Sequence, residues 1–134
     1  MFEDSVLIVA HPDDDLLWLS SVIDKVEQVI FCCNEDPAKP GTGLARKKTI
    51  AEYPLPNVSM LDIAEPQSFD KANWNGPVIT EYGLKLSKCQ KSDARYKMTY
   101  ENLLRRVRHQ VADRKYVFTH NPWGEYGHED HVLV

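Results

Sequence analysis

The sequence predicts an α/β fold with a mostly parallel sheet, and three observations predict it. Short apolar runs rich in β-branched residues alternate with longer segments of helical periodicity. The apolar runs lack polar alternation, which is typical of parallel strands that are buried on both faces. Polar residues that can bind a ligand follow two of these runs directly, as they do at the carboxyl edge of such sheets.

The predicted strands and helices alternate along the chain. The strands are residues 5–10, 26–33, 58–63 and 115–120, and the helices are residues 13–23, 44–53 and 92–114. With right-handed crossovers, this order indicates a Rossmann-like, three-layer fold with helices on both faces of the sheet. The first and fourth strands then lie side by side where the winding reverses, and a crevice opens at their ends.

The first strand and the helix after it are predicted by an abrupt change in residue type. Residues 5–10 read Ser-Val-Leu-Ile-Val-Ala, and residues 11–15 read His-Pro-Asp-Asp-Asp. Acidic residues are favoured in the first turn of a helix because they complement its dipole. We therefore expect the strand to end at Ala10 and the helix to begin at Asp13.

The middle of the chain is divided by prolines and glycines. Those between residues 37 and 43 mark a loop after the second strand. Pro54 ends the helix predicted at residues 44–53, because proline cannot continue a helix. The third strand follows at residues 58–63.

Residues 65–91 show no sustained period and are predicted to form a long loop that includes one short strand or turn. Loops of this length are usually functional or mobile, so Phe69, Trp74 and Tyr82 are candidates to line a pocket. The alternative is a surface lid that packs its own aromatic rings. Residues 92–114 carry apolar positions at helical spacing, which predicts the longest helix and a stripe that faces the core.

Composition restricts the class of protein. A chain of 134 residues with 43% hydrophobic content is expected to form a single domain over residues 1–134. A net charge of −4 without a dominant basic stripe argues against nucleic-acid binding. The three cysteines form no disulfide framework, which favours a reduced, cytoplasmic protein. We expect no signal peptide and no membrane span, since no apolar run approaches the ~20 residues required.

Two polar clusters contain the side chains that can perform chemistry. A catalytic divalent metal takes about three protein ligands and keeps one position open, and His11, Asp14 and His131 could supply that set. The adjacent Asp13 is expected to point away from Asp14 and to face a water molecule. The alternative is a structural zinc site or simple ion pairing, although structural sites usually use Cys or His and no cysteine lies near. No glycine-rich fingerprint follows the first strand, so a nucleotide cofactor is not expected.

At these motifs the sequence resembles the zinc-dependent de-N-acetylases of the PIG-L and LmbE-like group. Those enzymes remove acetyl groups from N-acetylglucosaminyl conjugates. The resemblance rests on Ala-His-Pro-Asp-Asp at residues 10–14 and Gly-His-Glu-Asp-His at residues 127–131. Residues 119–122, Thr-His-Asn-Pro, and Arg46 support it, and it spans nearly the whole chain.

The resemblance implies a role for each residue of the motifs. The implied metal ligands are His11, Asp14 and His131, which would hold Zn²⁺ or Fe²⁺. The implied catalytic residues are Asp13 as general base, protonated His128 as oxyanion stabiliser, and Asp130 as the carboxylate that orients a histidine. The candidate substrate-binding residues are Arg46, His120, Trp123 and Tyr126. For Trp123 and Tyr126, packing within their own loop is the alternative.

The chain departs from the family pattern at three places. Asp15 stands where Glu is usual, and Glu129 stands where Pro is usual. The family continues beyond its second His motif, so we expect this fold to be truncated after Val134. The predicted function is metal-dependent removal of an N-acetyl group from a small N-acetylglucosamine-type conjugate. The alternative is a non-catalytic remnant that binds a metal or a saccharide.

Overall fold

The computed structural model describes residues 2–134, which contain six strands and four helices. The strands are β1 (Phe2–Val9), β2 (Val26–Glu35), β3 (Val58–Ala64), β4 (Ile79–Thr80), β5 (Gly83–Leu84) and β6 (Tyr116–Phe118). The helices are α1 (Asp14–Trp18), α2 (Thr42–Ala51), α3 (Gln90–Val111) and α4 (Glu129–Val132). The predicted α/β class is confirmed, because four of these strands form a parallel sheet in an arrangement compatible with a Rossmann-like fold.

The order of strands in this sheet is β3-β2-β1-β6. The chain adds β2 and β3 on one side of β1 and then crosses over through α3 to place β6 on the other side. Val6 of β1 therefore pairs with Gln28 of β2 and with Val117 of β6. The predicted adjacency of the first and last sheet strands is confirmed, and the carboxyl ends of β1 and β6 meet at one edge.

The core of the protein consists of two hydrophobic clusters on opposite faces of the sheet. Successive strand residues point to opposite faces. Ile8 accordingly packs in one cluster with Tyr96 and Leu103 of α3, and Leu7 packs in the other with Ile50 of α2. β1 is buried on both sides, which explains its run of apolar residues without polar alternation.

The prediction of a helix over residues 13–23 is wrong in its extent, because α1 ends at Trp18 and turns follow it. Leu16 and Leu17 are 63% and 64% exposed, so the segment has no apolar face that packs on the sheet. Ile23, which lies in a turn beyond the end of α1, packs in the core. A short helix without tertiary packing is not sustained by propensity alone.

The other predicted elements differ from the structure mainly at their ends. β6 has three residues where the sequence predicted six, because it pairs only with residues 5–7 of β1 before the chain leaves the sheet. The connection predicted at residues 65–91 contains two short strands, the antiparallel pair of β4 and β5, where one short strand or turn was expected, and α3 begins within it at Gln90. Within residues 2–134, no helix has the length and hydropathy required to cross a bilayer.

Candidate metal centre and cleft

The fold brings the two polar clusters together at the carboxyl edge of the sheet. His11 lies between β1 and α1, Asp14 is the first residue of α1, and His131 lies on α4. All three are buried, with 7%, 3% and 2% of their surface exposed. The strand pairing of β1 with β6 causes this proximity, since the chain reaches α4 directly after β6.

The carboxylate of Asp14 lies between the two histidines that the sequence predicts as its fellow ligands. Its Oδ2 is 3.3 Å from Nδ1 of His11, and its Oδ1 is 3.2 Å from Nε2 of His131. These separations match the ~3.3 Å edge of a tetrahedron whose metal bonds are ~2.0 Å long. The backbone N–H of His11 also donates to Oδ2 at 2.7 Å and fixes the carboxylate. Each histidine is thus at the spacing of two ligands on one ion with respect to Asp14, although the two contacts use different oxygens of that carboxylate.

Each of these histidines has a carboxylate at its other ring nitrogen. Nε2 of His11 is 3.4 Å from Oδ2 of Asp130, and Nδ1 of His131 is 2.7 Å from Oε2 of Glu125. Such outer carboxylates set the tautomer and the orientation of a ligating imidazole. His11 is thus oriented to offer Nδ1 to an ion, and His131 is oriented to offer Nε2.

The potential ligand atoms of this region form three overlapping groups, in each of which all atoms lie within 4.8 Å of one another. The groups are His11 with His128 and His131, Asp14 with His120 and His131, and His11 with Glu65 and Asp130. The predicted ligand set is spread over the first two groups, which share His131. Imidazole and carboxylate groups positioned in this way could hold a metal ion.

His120 is a buried part of this network and differs from its predicted role as a substrate contact. Its Nε2 accepts a hydrogen bond from the backbone N–H of Ala10 at 3.0 Å, so this nitrogen's lone pair is already used. Its Nδ1 lies 3.0 Å from Oε2 of Glu125, the acceptor for its proton. The side chain has no exposed surface, and its Nε2 lies 3.5 Å from Oδ2 of Asp14. The ring has no surface with which to contact a substrate.

His128 is the N-cap residue of α4 and lies at the cleft. Its Nδ1 accepts a hydrogen bond from the backbone N–H of Asp130 at 3.2 Å, which assigns the proton to Nε2. Burial lowers the pKa of His128 to about 4, although the charge of Asp130 opposes this shift. The ring is therefore neutral near pH 7, in contrast to the protonated form that the sequence analysis expected. Neutral imidazole keeps an N–H that can donate.

The buried charges of the centre compensate each other. Burial alone would lower the pKa of His11, but hydrogen bonds to Asp130 and Asp14 outweigh it and raise the value to about 10. Burial alone would raise the pKa of Asp14, but the hydrogen bond with His11 and the charge of that ring hold it well below its usual range. Asp14 is therefore kept ionised, which is the form that binds a cation.

The centre opens into a cleft made of two adjoining pockets of about 390 and 230 Å³. The residues that line both pockets are Asp36, Lys39, Glu65, Tyr126 and His128. Tyr126 is thus placed at the cleft, as predicted for a substrate contact. Trp123 is 57% exposed and lines neither of these two pockets.

Asp13 and Arg46 both line the smaller pocket. Asp13 is exposed there, whereas its neighbour Asp14 is buried, so the two adjacent carboxylates have different surroundings. Arg46 forms an ion pair with Glu65 and donates to the backbone carbonyl of Asn34. The guanidinium of Arg46 therefore lies at the cleft as part of an ion pair with Glu65.

Comparisons of the chain with protein-family models, curated protein sequences and solved structures found no match. A fold class alone does not identify a function. The functional argument therefore depends on the chemistry of the residues in the cleft.

Sequence reasoning missed Glu65, Glu125 and Glu129, three carboxylates that contact the site or its supports. Glu125 lies in a tight turn whose backbone N–H bonds to the side chain of Asn121 at 3.2 Å. The turn directs the carboxylate back to the histidines, and Gly124 adopts a left-handed φ of 63° within it. The position of Glu125 between Gly124 and Gly127 was the available signal, but it did not distinguish a buried support from a surface residue.

Proposed function

We propose that this chain is a zinc-dependent hydrolase of the PIG-L and LmbE-like type that removes an N-acyl group from a small N-acetylglucosamine-type conjugate. The observation that carries the proposal is the position of Asp14 between Nδ1 of His11 and Nε2 of His131, with Asp13 exposed in the same pocket. Imidazole and carboxylate ligands suit Zn²⁺ and also accept Fe²⁺.

The residues that would hold the ion are His11, Asp14 and His131. When bound, zinc would polarise the acyl carbonyl and increase the acidity of a water molecule. Asp13 would remove a proton from the attacking water through its exposed carboxylate. The Nε2–H of His128 would donate to the carbonyl oxygen as negative charge develops there. Asp13 would then return the proton to the nitrogen of the departing amine.

The arrangement supports an enzyme better than a binding module. A cation requires the buried carboxylate of Asp14 but makes no use of an exposed carboxylate beside it. Asp13 has the accessibility that a general base needs, and His128 supplies a neutral donor at the same cleft. The cytoplasmic location predicted from the sequence remains part of the proposal.

Free-amine release from a panel of N-acetylglucosamine conjugates tests the proposal. We expect the zinc-reconstituted full chain to release amine, a chelator to abolish the release, and added zinc to restore it. Asp13→Asn serves as the matched control, because it should keep the metal and lose the release. A chain that binds one equivalent of zinc but hydrolyses no member of the panel would be a metal- or saccharide-binding module.

A further inference from the structure

Segment 67–74 forms one wall of the cleft. Gln67, Ser68 and Phe69 line its larger pocket, and 58% of the surface of Phe69 is exposed. The centroid of the Phe69 ring lies 4.9 Å from that of the His128 ring. An exposed aromatic ring in a polar cleft offers an apolar contact surface to a ligand. The location of this segment thus determines where the Phe69 ring lies relative to His128.

One buried carboxylate on α4 holds this wall. Glu129 has no exposed surface and accepts hydrogen bonds through both of its oxygens. The donors are the backbone N–H groups of Asp70 (3.1 Å), Lys71 (2.9 Å) and Ala72 (2.8 Å) and Nε1 of Trp74 (3.3 Å). Hydrogen bonds to an ionised acceptor are about twice as strong as neutral ones. Four donors of one segment therefore converge on a single side chain.

Two further contacts attach the same segment to the second His motif. The hydroxyl of Ser68 donates to Oδ1 of Asp130. The indole of Trp74 packs over Gly127, where an added Cβ would lie 3.3 Å from the ring. The wall is thus joined to α4, the helix that also carries His131.

We propose that Glu129 is a positioning residue that holds segment 67–74 against α4 and thereby places Phe69 in the cleft, where the ring contacts the part of the conjugate beyond its amide. The contact with a conjugate rests on the proposed function, whereas the positioning of the segment does not. Without the carboxylate, the buried N–H of Ala72 would lose its acceptor, and the segment would have to move to satisfy it.

Amide hydrogen exchange in the full chain with Glu129→Gln tests the positioning directly. Asp70 and Ala72 are the reporters, because the N–H of Lys71 also donates to the carbonyl of Ser68 at 2.9 Å. We expect exchange at both reporters to rise about tenfold, because one carboxylate oxygen becomes an NH2 group that accepts nothing and the other becomes a weaker, neutral acceptor. Zinc affinity should fall less than in Glu125→Gln, since the carboxylate of Glu129 bonds to the wall segment and not to a proposed ligand.

A spectroscopic signature separates positioning of the wall from a purely structural role. The Phe69 ring shifts the NMR signals of the His128 ring protons, and Phe69→Leu measures the size of that shift. We expect Glu129→Gln to move these signals toward their values in Phe69→Leu. With an active substrate, Glu129→Gln should raise KM with little change in kcat.

Two further variants keep the test decisive. Trp74→Phe removes the indole donor and part of the ring that packs over Gly127 but keeps the carboxylate. It should raise exchange at Ala72 by less than Glu129→Gln does, which gives a readout even if the latter does not fold. Glu101→Gln, at an exposed site on α3, should change nothing. Unchanged exchange at Ala72 in both cleft variants, or an unmoved His128 signal, would overturn the proposal. Suppose that exchange at Ala72 becomes faster and the His128 signal moves, but the chain hydrolyses no conjugate. That result would support the positioning role of Glu129 and would count only against the proposed function.

Discussion

The Oε2 oxygen of Glu125 lies 2.7 Å from Nδ1 of His131. The same oxygen is 3.0 Å from Nδ1 of His120, whose Nε2 accepts a hydrogen bond from the backbone of Ala10. Glu125 therefore faces a proton on each ring and leaves Nε2 of His131 directed at Asp14. A single carboxylate sets the tautomers of two buried histidines.

Glu125→Gln should weaken zinc binding by roughly 10–100-fold, the usual effect of removing such a carboxylate. The amide keeps the shape of the side chain but is a weaker acceptor for the proton of His131. Competition titration with a chromophoric chelator measures the affinity. Glu3→Gln, at an exposed site, is the control and should bind zinc normally. Equal affinities in the two variants would show that His131 is oriented without Glu125.

Asp13→Asn and Asp14→Asn should have different effects because the two carboxylates have different surroundings. Asp14→Asn should reduce zinc content, since a neutral amide replaces the buried anion that faces His11 and His131. Asp13→Asn should retain zinc and lower kcat by about 10²–10⁴, the usual contribution of a general base. Parallel zinc titration and amine-release assays measure both quantities.

The opposite result for this pair would be equally informative. Loss of zinc in Asp13→Asn with retention in Asp14→Asn would reverse the assigned roles. Normal zinc content and normal turnover in both variants would mean that this cleft is not the active site.

Gly124→Ala should destabilise the fold more than Gly41→Ala does. Both glycines have a left-handed φ, 63° at Gly124 and 93° at Gly41. A Cβ at Gly41 would meet nothing within 4 Å, so only the conformational cost of about 1–2 kcal/mol is expected there. A Cβ at Gly124 would lie 2.3 Å from the backbone oxygen of His128, which cannot give way without moving the motif.

Urea unfolding of the two alanine variants measures this difference in the free energy of unfolding. Zinc titration of Gly124→Ala should also show weaker binding, because the turn directs Glu125 and precedes His128. Similar unfolding free energies for both variants would contradict the close approach of Gly124 to His128.

Zinc should stabilise the folded chain because its proposed ligands come from separate segments that meet only in the fold. At a free zinc concentration of 100 times Kd, the gain is about 2.7 kcal/mol for binding to the folded state alone. Thermal unfolding with zinc and with a chelator measures it as a rise in Tm. Asp14→Asn should lose most of this rise, while Asp13→Asn should keep it. A Tm that does not respond to zinc in the unaltered chain would remove the basis for a metal site.

The sequence alone determined the elements whose signal is local. The uninterrupted apolar run at residues 6–10 identified a doubly buried strand, and helical spacing identified α3. The order of these elements, with the handedness rule for parallel crossovers, placed β1 beside β6 and so brought His11 and His131 to one edge. A motif at the end of each strand was therefore enough to predict that the two polar clusters lie together, because topology follows from element order.

Only the tertiary structure decided how the site is supported. The groups that donate hydrogen bonds to Glu129 lie 55 to 59 residues before it in the sequence. His120 accepts a hydrogen bond from the backbone N–H of Ala10, which is 110 residues away. Contacts of this kind leave no period in the sequence, because they depend on how distant segments pack rather than on neighbours along the chain. For the same reason the sequence overestimated α1: acidic residues at a helix start favour initiation, but its length depended on packing that the exposed Leu16 and Leu17 do not make.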